Sequence, residues 1–112
     1  MESTRQTKVA RQVQKDLGEI FQRQAQSHYQ GHMITVTQVR MSPDLGLARV
    51  YISIFPAQKR EEILTEVKTN TRSIRHELGK RVRHQLRIVP DLNFYLDDSL
   101  DYIENIDRLL KK

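Results

Sequence analysis

Met33-Ile34-Thr35-Val36-Thr37-Gln38-Val39-Arg40-Met41, then Ser42-Pro43-Asp44-Leu45-Gly46, then Leu47-Ala48-Arg49-Val50-Tyr51-Ile52-Ser53-Ile54-Phe55, is the stretch that decides the fold. The first nine residues are rich in β-branched side chains, which suit a pleated, half-buried surface. Their apolar phase shifts between Ile34/Val36 and Val39/Met41, which predicts a bulge or a strand buried partly on both faces. The middle five residues are turn chemistry throughout. The last nine alternate, with Ala48, Val50, Ile52 and Ile54 on one side and Arg49, Tyr51 and Ser53 on the other. Strand, tight turn, strand predicts an antiparallel hairpin.

Downstream, Pro56 closes the hairpin and Lys59-Arg60-Glu61-Glu62 opens a helix with core residues Ile63, Leu64 and Val67. No proline interrupts residues 60 to 86. One unbroken helix over that span would be about 40 Å long, longer than a compact domain with a radius of gyration near ~13 Å is wide. A break is therefore expected, and helix propensity is lowest at Asn70-Thr71-Arg72-Ser73. The second helix of the pair carries Arg72, Arg75, Lys80, Arg81, Arg83 and Arg87 against one acid, Glu77. Ile74, Leu78 and Val82 form its apolar stripe. On the same grid Arg72, His76, Lys80, Arg83 and Arg87 share the opposite face, an arrangement suited to packing inward and meeting a polyanion outward. Pro90 should stop this helix near Leu86 to Val89.

Leu92, Phe94 and Leu96 alternate as a third short strand. Asp97-Asp98-Ser99 offers a cap for a last amphipathic helix with Leu100, Ile103, Ile106 and Leu110 inside and Asp101, Glu104 and Asp107 outside. Upstream, Ser3 or Thr4 should cap a first helix whose buried stripe is Val9, Val13, Leu17, Ile20 and Phe21. It should end around Gln24 to Ser27, with Arg5, Lys8, Arg11 and Lys15 off the stripe. His28-Tyr29-Gln30-Gly31-His32 is expected as a loop, with Gly31 free to take a positive φ.

The totals bound the function. At 112 residues the chain is expected to form one domain over 1–112. No window approaches a membrane span, and the N-terminus lacks the apolar run of a secretory signal. Cysteine is absent, which excludes disulfides, thiol catalysis and cysteine-ligated zinc. A cytoplasmic protein is expected. Residues 1–90 hold 16 Lys/Arg and 8 Asp/Glu, a balance of +8, while residues 91–112 hold 3 and 6, a balance of −3. A basic body with an acidic C-terminal helix points to a polyanionic partner approached from one side.

The order α-β-β-α-α-β-α, an α+β arrangement with a three-stranded sheet and helices on one face, matches the type II KH arrangement of RNA-binding domains. Ile34 to Thr37, Met41 to Leu45 and Ala48 to Ser53 closely resemble ribosome-binding factor A. Ile74 to Lys80, Leu86 to Phe94 and Asp98-Ser99-Leu100 extend the resemblance over nearly the whole chain. It implies a KH-like fold and binding to the small ribosomal subunit and its rRNA during late maturation and processing. It also implies a link to cold adaptation, and no enzymatic activity. An ordinary KH domain clamps nucleic acid with a GXXG loop between two helices. The resemblance implies a kink of the form Ala-X-Gly in its place, and here the matching positions are Asn70-Thr71-Arg72.

Arg72, Arg75, Lys80, Arg81, Arg83 and Arg87 are the leading candidates for RNA contact, each able to neutralise a phosphate. Lys8, Arg11 and Lys15 are a second candidate patch, balanced against simple solvation. Arg40 and Arg49 are expected to pair with Asp44 or with acids on neighbouring strands. Tyr29, Tyr51, Phe94 and Tyr95 look too scattered in sequence for a base-stacking platform. His76 and His84 stand two helical turns apart, and His28 and His32 sit in a loop without acids, so no metal is expected. Asp97 and Asp98 fit a helix cap better than a magnesium site. No cofactor is implied, and a monomer is expected. The competing class is a protein-interaction adaptor that docks its basic face on an acidic partner. An RNA-processing enzyme would need a carboxylate cluster that the residues do not supply.

Overall fold

The computed structural model describes residues 3–24 and 29–97. The first helix, α1 (Thr4–Gln24), begins with a reciprocal cap: Gln6 N donates to Ser3 Oγ at 3.1 Å and Ser3 N to Gln6 Oε1 at 2.8 Å. This satisfies two backbone donors that a helix start leaves open. Gln6 is itself buried, and its amide donates to Met41 O at 3.0 Å, so the cap also ties α1 to the hairpin. Ser3→Ala is expected to cost about 1 kcal/mol, measured as a lower midpoint of thermal or urea unfolding.

Tyr29–Gly31 form a single tight turn in which Tyr29, Gln30 and Gly31 all have positive φ. The freedom expected of Gly31 is used, but two side-chain-bearing residues share the strain. Tyr29 is held there by burial, with its ring edge-on to Phe21 at 6.1 Å. Burial, reinforced by the nearby Glu66 carboxylate, pushes the Tyr29 hydroxyl above its ordinary pKa, against a lowering hydrogen bond from Asn70.

The hairpin forms as expected, from β1 (Met33–Met41) and β2 (Leu47–Phe55) in antiparallel register. The phase shift in β1 is a bulge: pairing runs Val36↔Ile52 and then Gln38↔Tyr51, with Thr37 left over. The bulge lets Ile34, Val36, Val39 and Met41 all face the core. In the turn, Leu45 takes the left-handed conformation (φ 62°), not Gly46. Its half-buried side chain packs against the core, which offsets the backbone strain. Asp44 accepts from Ser42 Oγ at 2.7 Å and from Gly46 N at 3.0 Å, which holds its carboxyl below the usual range.

Two helices follow, α2 (Arg60–Thr69) and α3 (Thr71–Val82), and then β3 (Asp91–Leu96). The sheet order is β1-β2-β3, with β3 parallel to β2 and Asp91 opposite Leu47. The sheet is thus mixed, and the helices fill one face of it. The core joins Leu17 and Phe21 of α1, Val50 and Ile52 of β2, Ile63 of α2 and Leu78 of α3. The C-terminal helix expected from Leu100 to Leu110 lies outside the described residues. Asp97 accepts a 2.5 Å hydrogen bond from Thr37 at the bulge; the cap expected of Asp97-Asp98-Ser99 concerns that same helix and lies outside the described residues with it.

Candidate nucleic-acid interface

The α2–α3 junction is a single residue. Asn70 has φ −91° and ψ 6°, ending one helix and starting the next. The hydrogen-bond ladder nevertheless continues, with Asn70 N reaching Glu66 O at 3.0 Å and Ile74 N reaching Asn70 O at 2.9 Å. Around it Thr65, Thr69 and Thr71 each donate a hydroxyl to the carbonyl four residues back, a bond that bends helices. The kink is therefore made by threonines and one asparagine without any glycine.

On α3 the stripe Ile74, Leu78 and Val82 is fully buried. At ~100° per residue, Arg75 and Arg81 lie to either side of that stripe, and both are committed to the fold. Arg75 donates to Val89 O at 2.6 Å and Pro90 O at 3.1 Å, and meets Asp91 at 3.4 Å. It thereby fastens the return loop to the helix. Arg81 donates to Glu19 and stands 3.8 Å from Asp16, whose side chain is only 9% exposed. It thereby fastens α3 to α1. Asp16 also accepts from Gln12 Nε2 at 2.8 Å.

The helix ends earlier than Pro90 alone implies. Val82 O accepts from both Gln85 N and Leu86 N, closing the last turn, and Arg83 is the C-cap. The chain needs residues 83–90 to travel back so that Asp91 N can bond Gly46 O at 2.9 Å. Arg87, expected on the helical row, is therefore an exposed residue of the return loop.

What remains on the outer face is Arg72, His76, Lys80 and Arg83, all exposed. Lys80 has one exposed ion pair, to Glu77 at 3.6 Å, and such pairs contribute little. Between this face and the loop runs a shallow groove bordered by Arg75, His76, Lys80, Arg83 and Val89. Gly79 forms its floor, and a Cβ there would stand 3.1 Å from Val89 Cγ2, so this glycine serves the close approach of the loop. On α1, Lys8, Arg11 and Lys15 are exposed on the side away from the sheet. Since α1 and α3 are neighbours bridged by Arg81, both cationic rows look outward from the same helical layer.

β3, an edge strand among the described residues, borders a second cleft, with Lys68 and Thr71 on one wall and Asn93 and Tyr95 on the other. Arg40 and Arg49 do not pair with Asp44, whose carboxylate is occupied within its own turn. Tyr51 and Tyr95 are not scattered: they sit opposite each other on β2 and β3 with rings stacked at 5.3 Å and 28°. His32 is buried, its ring nitrogens 3.1 Å from Tyr29 O and 2.7 Å from Gln58 O. Among the described residues no three His, Asp or Glu converge as a metal site would require. No described helix is long and apolar enough to cross a membrane.

Residues 5–110 match the family model described as ribosome-binding factor A. The chain is 50% identical to ribosome-binding factor A of Flavobacterium psychrophilum, over 98% of this chain and 85% of that protein. It is 45% identical to that of Christiangramia forsetii over the same shares. The fold is similar to the crystal structure of ribosome-binding factor A from Thermus thermophilus, with a TM-score of 0.68 and 25% identity over 81% of this chain and 94% of that one. It is also similar to a model of the Thermus thermophilus factor fitted into an electron-microscopy map of its complex with the 30S subunit. That match has a TM-score of 0.62 and 26% identity over 79% of this chain and 90% of that one.

Proposed function

Because this chain belongs to the ribosome-binding factor A family, we propose that it docks on the immature small ribosomal subunit and supports late maturation of its rRNA. The contact is the outer face of the kinked α2–α3 pair, extended by the cationic row of α1. The single observation that carries this reading is what is left on α3 once its structural arginines are set aside. Arg72, Lys80 and Arg83 still face solvent together, with Glu77 the one acid on their helix. The 30S complex of the Thermus relative supports the choice of partner.

Guanidinium and ammonium groups at helical spacing meet phosphates and carry no base code. Recognition is therefore of backbone and shape. A factor of this kind acts by binding one conformation of the RNA more tightly than others, which shifts its population without making or breaking bonds. The proposed role needs no cofactor and no catalytic group.

The test is the salt dependence of binding to small subunits and to protein-free fragments of their rRNA. With three to six phosphates neutralised, the log–log slope should fall between about −2 and −5. Binding to subunits that disappears on protein-free RNA would favour the adaptor reading, in which the basic face meets an acidic protein.

A further inference from the structure

We infer that the face of the sheet turned away from the helices is a stacking platform for a short single-stranded RNA segment. The inference takes its class of partner from the ribosomal reading, but uses a different surface. Among the described residues no element packs on this face: Met33 is 61% exposed, Phe55 70% and Tyr95 40%. The register sets its side chains in rows across the strands. One row is Gln38, Tyr51, Tyr95 and the next is Arg40, Arg49, Asn93. The rows are two residues apart along each strand, about 7 Å.

Each row has a property that the fold alone does not require. Arg40 and Arg49 stand directly opposite each other, and like charges so placed destabilise a sheet. Among the described residues neither forms an ion pair, and Asp44 is occupied elsewhere. In its satisfied orientation the Gln38 amide oxygen accepts from Arg40 Nε at 3.0 Å, which holds that guanidinium over the face without neutralising it. Beside this uncompensated charge lie the two stacked tyrosine rings, with Tyr95 on the edge strand. Aromatic rings next to unpaired cations offer a base its π-face and a phosphate its counter-charge. An acidic peptide would satisfy the arginines but would leave the tyrosine pair without a purpose.

The experiment measures binding of the intact chain to fluorescent single-stranded (A)8 and (U)8 RNA at low salt, with melting curves to establish that each variant is folded. The expected result is tighter binding of (A)8 than of (U)8, since adenine stacks more strongly. Tyr95→Thr and Arg49→Ala should each weaken (A)8 binding about tenfold, while Tyr95→Phe, which keeps the ring, should not. Arg49 is exposed, so Arg49→Ala remains informative if the tyrosine variant fails to fold. Absence of (A)8 binding by the intact chain overturns the inference. Binding that depends on Arg72 and Arg83 but not on Tyr95 or Arg49 also overturns it, while leaving the docking role of α3 untouched.

Discussion

Replacing Arg72 and Arg83 together by Glu is expected to lower affinity for small subunits by a hundredfold or more while leaving the protein folded. Hydrogen bonds to charged groups contribute about 1.5–3 kcal/mol each, and every 1.4 kcal/mol is tenfold in affinity. Losing two phosphate contacts therefore accounts for roughly two decades, and the introduced carboxylates add repulsion. Both arginines are exposed, and among the described residues neither has an ion pair. The free energy of unfolding should accordingly change by no more than about 0.5 kcal/mol. Arg75 is the wrong residue for this purpose. Its reversal would break the bonds to Val89 O and Pro90 O and displace the loop, so lost binding would report lost structure. Co-sedimentation with purified subunits gives the affinity. Binding equal to that of the unaltered chain would move the contact away from α3, to Lys8, Arg11 and Lys15.

Arg81→Ala should have the opposite signature, with a large loss of stability. The substitution strips the guanidinium from Asp16 and leaves a carboxylate with little access to water and, among the described residues, Gln12 alone as a hydrogen-bond partner. Orphaning a buried charge costs several kcal/mol. Arg81 itself is partly exposed, so about 2–3 kcal/mol is expected. For a chain of this size that corresponds to a fall in melting temperature of roughly 10 °C or more. Combining Arg81→Met with Asp16→Leu should recover much of the loss, because an apolar pair leaves no charge unmatched. A stable Arg81→Ala variant that no longer bound subunits would show instead that Arg81 is an RNA contact.

The contrast between these arginines shows what the sequence could and could not disclose. The hairpin, its bulge, the break at Asn70 and the third strand were all legible, because each follows from alternation, turn chemistry or propensity within a short window. The apolar stripe of α3 was legible for the same reason, and with it the outward position of Arg72, His76 and Lys80. Arg75 and Arg81 lie beside that stripe on the helical grid, so their closeness to neighbouring elements could have been inferred. The partners of Arg81 could not, since Asp16 and Glu19 are more than sixty residues away in the chain, and those of Arg75 depend on where the return loop after the helix comes to lie. Local rules put Arg87 on the helix, because Pro90 is the one stop signal that the sequence shows there. The actual stop is the need to bring Asp91 back beside Leu47, a requirement set by sheet pairing. The Tyr51–Tyr95 stack was hidden by the same long-range parallel pairing. Leu45 in a left-handed turn was hidden by the glycine next to it, which local rules favour for that conformation.

The absence of cysteine from the chain permits the most direct test of the docking face. A single cysteine introduced by His76→Cys, between Arg72 and Lys80 on the outer side of α3, can carry a tethered iron chelate that cleaves nearby RNA. Glu62→Cys on the exposed acidic start of α2 provides the comparison. After binding to small subunits, the account predicts localised rRNA cleavage from position 76 and weak or no cleavage from position 62. Strong cleavage from position 62, with none from position 76, would contradict the central claim that the cationic face of α3 meets the RNA.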